Sequence, residues 1–490
     1  MSIGTLALAP NFMLQSLAML KLYKENQDST PVNTKSPKDG SLKIPKLGNK
    51  IHFISLGCPR NLVDSEVMLG ILLQAGYEAT EQLESADYLV INTCGFLEAS
   101  RQESMDTVDH VLKSKKPGAK LIVAGCMVQT HSQELKDKFN TVDYYLGSGD
   151  VEGILKAVKS TESGEEISTS RSYLEAGEIP RQLSTPKHFA YLKIAEGCRK
   201  RCAYCIIPEI KGPLKSKTVE QIIKEFRMLR SRGVKEIILI AQDLGDFEKD
   251  KRLRNQSGLV DLLKTLLQEE GDYWLRLLYL YPDEITEDLL DLMAKDKRIC
   301  PYLDMPIQHI NDGMLKSMRR MTSKQEIAST IETLRKKLPD VSIRTSLIVG
   351  FPGETEEAFE ELCQFLQTTP LDNVGIFKYS NEPKSPSYTF PDQVAEDVKQ
   401  RRWDKLMQIQ AKQAEKWNKR WVGKTIPVVV EGYHPETQML MIGRHRGQCP
   451  DIDGTVLIND PRGVKKFGEV YNVKISDVAG YDLVGAVSPR

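Results

Sequence analysis

Cys198-Arg199-Lys200-Arg201-Cys202-Ala203-Tyr204-Cys205 places three thiols on one short stretch, at spacings of four and three residues. The stretch follows the apolar run Tyr191–Ala195 and the pair Glu196-Gly197, so it forms a loop at the C-terminal end of a predicted strand. Three thiolates this close can hold three corners of a cubane iron–sulfur cluster and leave the fourth iron without a protein ligand. A zinc site and three reduced thiols are the competing readings. Zinc usually takes four protein ligands in paired groups, and the nearest further Cys or His is His188, which lies before the strand.

Outward from this loop, residues 188–392 alternate strand and helix patterns. Strand candidates are Tyr191–Ala195, Glu236–Ala241, Leu275–Tyr281, Tyr302–Pro306, Ser342–Val349 and Asn373–Tyr379; Val219–Arg232 and Thr355–Leu366 are amphipathic helices between them. Six βα units predict a partial barrel, whose mouth at the strand C-termini carries the cysteine loop. Residues 50–159 repeat the alternation on a smaller scale, with strands Ile51–Leu56, Tyr88–Asn92 and Leu121–Ala124 and a helix Ser65–Ala75. That predicts a doubly wound parallel sheet, and so an α/β chain. Residues 393–421 form one long connecting helix with Trp417 and Trp421 on its packed face. Residues 422–490 hold five short strands, a small antiparallel barrel. Residues 160–187 read as a linker with an edge hairpin, and residues 1–49 as a flexible tail.

Composition sets the outer limits. The 490 residues allow about three domains. With 40% hydrophobic and 27% charged residues, the chain is of the ordinary globular kind. No apolar run reaches the ~20 residues of a membrane span, and the N-terminus lacks the basic region of a signal peptide. Nine cysteines are too few for a disulfide scaffold of this size, which points to a cytoplasmic chain and to metal or redox sites. Lys+Arg and Asp+Glu are equal at 67 each, which lends no support to a nucleic-acid grip.

Cys58, Cys94 and Cys126 lie far apart but in equivalent places. Each follows a strand pattern, and each has a glycine beside it. In a parallel sheet the three loops emerge on one edge, where open α/β sheets bind ligands. Together they can hold a second three-coordinate cluster; singly, each reads as a small buried hydrophobe.

The C-x3-C-x2-C loop at the head of six βα units resembles the radical S-adenosylmethionine (SAM) superfamily. The second thiol trio and the terminal barrel extend that resemblance, over residues 50–490, to the methylthiotransferases. It implies two [4Fe–4S] clusters, an auxiliary one on Cys58, Cys94 and Cys126 and a radical-generating one on Cys198, Cys202 and Cys205. One SAM would give a 5′-deoxyadenosyl radical and another would methylate sulfur. The terminal barrel, called TRAM in this family, would recognise substrate. Tyr204 would pack near the adenine. A flavodoxin- or ferredoxin-like electron donor is implied.

Two motifs resemble the branch that modifies an aspartate on the twelfth small-subunit ribosomal protein: Leu303-Asp304-Met305-Pro306-Ile307-Gln308-His309 and Pro450-Asp451-Ile452-Asp453-Gly454. From Arg420 to Arg490 nine Lys/Arg face eight Asp/Glu, so nucleic acid is not required as partner. Methylthiolation of a transfer-RNA adenosine is the alternative, and a non-catalytic iron–sulfur binding or assembly module is a reading of another class. Two stretches depart from the family pattern and bear on docking: Lys211–Lys217, with lysines in place of arginines, and Gly443–Cys449, with Cys449 in place of alanine.

Gln242 and Asp243 end the second barrel strand, Gln308 and His309 the fourth, and Gly350-Phe351-Pro352-Gly353-Glu354 follows the fifth. At the mouth, Gln242, Gln308 and Gly350 join Tyr204 as candidate SAM contacts. Helix capping is the competing role for Glu354 and Thr355.

Overall fold

Near-continuous apolar runs, buried on both faces, mark the strands of parallel sheets. In the computed structural model they build two compact units. The first is the chain up to Pro186 together with Ile207–Pro213; the second is Lys187–Ile206 with Leu214–Arg490. The structure describes residues 48–168, 174, 180–251 and 258–488. The tail expected over 1–49 lies outside them as far as residue 47, as do parts of the 160–187 linker.

The first unit is a six-stranded parallel sheet, β1 (Lys50–Ser55), β2 (Glu78–Ala79), β3 (Tyr88–Thr93), β4 (Lys120–Gly125), β5 (Tyr144–Gly147) and β6 (Gly164–Glu166), in the order β2-β1-β3-β4-β5-β6. Alternate residues feed opposite cores. Phe53, Val90, Ile122 and Leu146 face one; Ile54, Ile91, Val123 and Tyr145 face the other. This is the doubly wound arrangement. Two details differ from expectation. The helix after β1 spans Pro59–Gln74 and starts well before Ser65, with proline preset in its first turn. The expected edge hairpin is instead β6, paired parallel to β5. Its Glu165 and Glu166 face Lys136 and Lys156 at the surface and leave no apolar signature.

In the second unit, β7 (Phe189–Lys193), β10 (Glu236–Ile240), β11 (Trp274–Leu277), β12 (Ile299–Asp304), β13 (Ser342–Val349) and β14 (Asn373–Lys378) form a parallel sheet in sequential order, the partial barrel. A two-stranded antiparallel ribbon, β8 (Ala195–Glu196) and β9 (Lys215–Ser216), flanks the cysteine loop. The helix Glu396–Asn418 follows, its Trp417 indole donating to Asp372; it is shorter than the expected 393–421, and Trp421 lies beyond it in the 3-10 turn Lys419–Trp421, its ring tilted 5.0 Å from His445.

The terminal strands β15 (Thr425–His434), β16 (Thr437–His445), β17 (Val456–Asp460), β18 (Glu469–Ala479) and β19 (Asp482–Val487) close into a barrel around Val428, Val430, Val456, Ile458, Val473 and Ile475. One pair, β17 with β19, is parallel, whereas the expected barrel was antiparallel throughout. No helix among the described residues is long and apolar enough to cross a membrane.

The β16–β17 loop packs against the N-terminal ends of the partial-barrel strands. Arg444 pairs with Glu236 at 2.9 Å, Arg446 donates to the Ile299 carbonyl, and a Cβ on Gly447 would lie 2.3 Å from Ser342 Oγ. Asp453 is buried near Arg344, and Cys449 is fully buried. The stretch Gly443–Cys449 therefore bears on packing between the barrels, with Cys449 wholly inside. Lys211 is likewise internal, paired with Asp64 at 3.2 Å within the first unit.

Candidate metal centres

Gly197, with φ of +78°, turns the chain out of β8 into the cysteine loop. The loop is pinned from several sides: Ala203 N–H donates to Met318, Ser387 N–H donates to Ala203, and Cys205 N–H donates to the Cys202 carbonyl. Lys200 reaches Asp283 and Glu284 at 3.2 Å and Asp243 at 3.5 Å. Burial, then Asp246 and Glu284 against Lys200, pushes the Asp243 carboxyl up to about 7. Cys202 is buried while Cys198 and Cys205 are half-buried, and burial pushes the free Cys198 thiol up to about 11.

At the mouth, Gln242 donates to Glu196 at 2.8 Å, and its Oε1 is buried without a partner among the described residues. Glu196 in turn holds Lys193 at 2.6 Å. Gln308 adopts φ of +72° and bridges to Leu347. Tyr204 packs on the cluster of Ala203, Met318 and Phe351. Gly350 has φ of +75°, and a Cβ there would lie 2.3 Å from Lys399 Cγ, so its small size answers Lys399. His309 is fully buried and bonded to Glu354 at 3.1 Å. Glu354 is more than a cap: its carboxylate also accepts from Gly350 N–H and Arg402, while Thr355 caps the next helix. His188 pairs with Glu431 and stays away from the thiols.

The first unit gathers the other three cysteines. Cys58 is the N-cap of Pro59–Gln74, Cys94 follows β3, and Cys126 opens the helix Cys126–Lys138. A Cβ on Gly57 would lie 3.2 Å from Cys94 Sγ, and one on Gly95 would lie 2.8 Å from the Cys126 carbonyl carbon. The glycines are therefore what lets the three loops close up. Burial pushes Cys126 up to about 12, opposed by Lys211 and reinforced by Cys94 and Cys58. At Cys58 burial is outweighed by Arg60, the N–H groups of Asn61 and Arg60, and Lys211, which hold its thiol below the usual range.

Each donor set offers three thiols, the chemistry of a cluster with one iron left open. Sulfurs about 2.3 Å from one zinc would sit within ~4 Å of each other. Among the described residues the trio with all ligand atoms within 4.8 Å is Asp243, Asp246 and Glu284, not either cysteine trio. Lys200 and Lys249 already pair with that acidic trio. None of the six cysteines is joined in a disulfide among the described residues.

Comparison with known proteins gives the family and the fold. Family models match residues 50–147 (Uncharacterized protein family UPF0004), 192–366 (Radical SAM superfamily) and 422–487 (TRAM domain). The chain is 66% identical over 464 residues, 95% of its length and 98% of the relative's, to Ribosomal protein uS12 methylthiotransferase RimO of Protochlamydia amoebophila (strain UWE25). The chain belongs to the uS12 methylthiotransferase family. Family members of the same name from Chlamydia abortus (57% identity; 90% of this chain, 95% of the relative) and Bdellovibrio bacteriovorus (44%; 89% and 97%) are also similar. Among solved structures, the radical SAM methyltransferase TsrM from Kitasatospora setae shares the fold, with TM-score 0.51, 13% identity, and coverage of 70% of this chain and 77% of that one. The radical SAM fold implies a [4Fe–4S] cluster and SAM.

Several residues of these centres carry no motif. Asn61 donates to Leu56, Thr93 and Asn92 carbonyls and ties the Cys58 and Cys94 loops together. Ser104 bonds both N–H and C=O of Cys94. Tyr281 and Arg320 meet Cys202. A polar residue on the buried face of a helix, as at Asn61, is the signal that would have found the first.

Proposed function

We propose that this chain methylthiolates the β-carbon of an aspartate of ribosomal protein uS12. In this reading Cys198, Cys202 and Cys205 hold the radical-generating [4Fe–4S] cluster, and Cys58, Cys94 and Cys126 hold a second one. The observation that carries it is the 66% identity across nearly the whole of both chains, joined to two sets of three thiols, one on a single loop and one after three strands of a parallel sheet. When bound, these groups and SAM supply the 5′-deoxyadenosyl radical, the sulfur and the methyl group.

The chain's own residues prepare those centres. Burial of Cys202 keeps water from its sulfur. Gln242 offers its unpartnered carbonyl oxygen as acceptor for an amino group at the mouth. Tyr204, Gln308 and Gly350 complete the SAM contacts in this reading. In the first unit Arg60, the N–H groups at the helix N-terminus and Lys211 favour thiolate charge at Cys58. A flavodoxin- or ferredoxin-like carrier supplies electrons, the enzyme works in the cytoplasm, and no nucleic acid is needed.

The test is the intact mass of uS12 from cells with and without the gene. One methylthio group, mapped to an aspartate and lost with the gene, is expected. An unchanged mass refutes the reading.

A further inference from the structure

We propose that Tyr281 and Arg320 are positioning residues of the radical-generating centre, which direct donors at Cys202 Sγ and so raise the reduction potential of the cluster. This rests on the reading of Cys198, Cys202 and Cys205 given above.

Tyr281 Oη lies 3.4 Å from Cys202 Sγ. Arg320 stacks on the Tyr281 ring, 3.9 Å from its centroid, and its Nη1 lies 4.0 Å from the same sulfur. Its Nη2 donates to the Pro306 carbonyl, which fixes the fork. Lys200 stands 4.4 Å from the centroid of the same ring. Three acidic groups hold Lys200 in turn. The phenol is therefore fixed between two anchored cations, with its hydroxyl on the thiol.

Arg320 is 6% exposed and Cys202 5%. Among the described residues no carboxylate pairs with Arg320; its partners are a carbonyl, a ring and a sulfur. A buried guanidinium without a carboxylate is costly unless another negative charge faces it. A cysteine-ligated cluster supplies that charge.

Reduction adds one electron, taking [4Fe–4S]2+ to [4Fe–4S]+. No bond forms or breaks, the electron comes from a low-potential one-electron donor, and the phenol keeps its proton. The added negative charge spreads onto the ligand sulfurs. Donors at a sulfur therefore stabilise the reduced form more than the oxidised one. A hydrogen bond to a charged group is worth enough to change the reduced-to-oxidised ratio about tenfold.

The test uses the full-length chain carrying Cys58→Ala, Cys94→Ala and Cys126→Ala, so that one cluster is observed. It is reconstituted anaerobically with iron and sulfide, then titrated with dithionite without SAM while the reduced cluster is followed by electron paramagnetic resonance. Tyr281→Phe keeps the ring and the two cation contacts. It is expected to hold the parent's iron and to show about tenfold less reduced over oxidised cluster at the same potential. Arg320→Met is expected to shift in the same direction, and Arg320→Lys by less. A Tyr281→Phe chain that titrates with its parent, shifts the other way or loses its iron overturns the proposal. A background chain that binds no iron overturns the cysteine assignment itself, and this proposal with it.

Discussion

Replacing Glu236 by glutamine tests how the terminal barrel is joined to the partial barrel. Glu236 opens β10 and is 2% exposed. Its carboxylate accepts from Arg276 Nε at 2.6 Å and from Arg444 Nη2 at 2.9 Å. Arg444 comes from the end of β16 and also binds Glu431. Burial alone would push the Glu236 carboxyl up, but the two guanidinium groups outweigh it and hold it at about 2, against 4.5. A difference of that size corresponds to about 3 kcal/mol of stability at pH 7. Because the folded value is depressed, this stability is complete above pH 4.5 and is lost as pH falls toward 2. Glutamine keeps the shape but strands two buried cations with one fewer carboxylate, a loss of about 3–5 kcal/mol. Urea unfolding of the full chain at pH 7, followed by circular dichroism and by Trp421 beside His445, reads that loss. Arg444→Met added to Glu236→Gln should recover part of it, because one stranded cation is gone. A loss under about 1 kcal/mol, or additive losses in the double variant, would refute the reasoning.

The remaining predictions concern pH and iron. Burial, followed by Arg420, Arg276 and Arg444, holds His445 at about 3, against 6.5. The unfolded chain thus takes up a proton that the folded one refuses, and stability should fall as pH drops below 6.5, by about 2 kcal/mol at pH 5. His445→Asn, which keeps an acceptor for Gly447 N–H, should flatten that slope in urea midpoints at pH 7 and 5. Gly95→Ala would place a Cβ 2.7 Å from Met127 Cα and part the Cys94 and Cys126 loops. In a Cys198→Ala, Cys202→Ala, Cys205→Ala background it should lose the remaining iron, read per chain by a chelator assay. With Cys58, Cys94 and Cys126 all changed to alanine, 5′-deoxyadenosine should still form while methylthiolation stops, as chromatography of the reaction would show.

The central strands of the first unit were legible because both their faces are buried, so Leu89–Ile91 within Tyr88–Thr93 and Leu121–Ala124 within Lys120–Gly125 read as apolar runs. The placement of Cys58, Cys94 and Cys126 at the ends of three parallel strands was legible because each follows an apolar run and sits beside a glycine. The supporting residues were not. The turn of helix at Asn61, Asp64 and Ser65 is polar yet buried, so apolar spacing placed the helix start too late. Tyr281 and Arg320 come from loops after different strands and meet only in three dimensions. The Gly443–Cys449 stretch read as a surface feature because its charges look solvated. In the fold, Arg444 is spent on buried carboxylates.

The central claim is tested most directly with the purified chain under anaerobic conditions. It would be given iron, sulfide, SAM and dithionite, with uS12 and transfer RNA present together. The account predicts one methylthio group on a uS12 aspartate, found by peptide mass spectrometry, and none on adenosine. Methylthioadenosine in the transfer RNA with unmodified uS12 would contradict it.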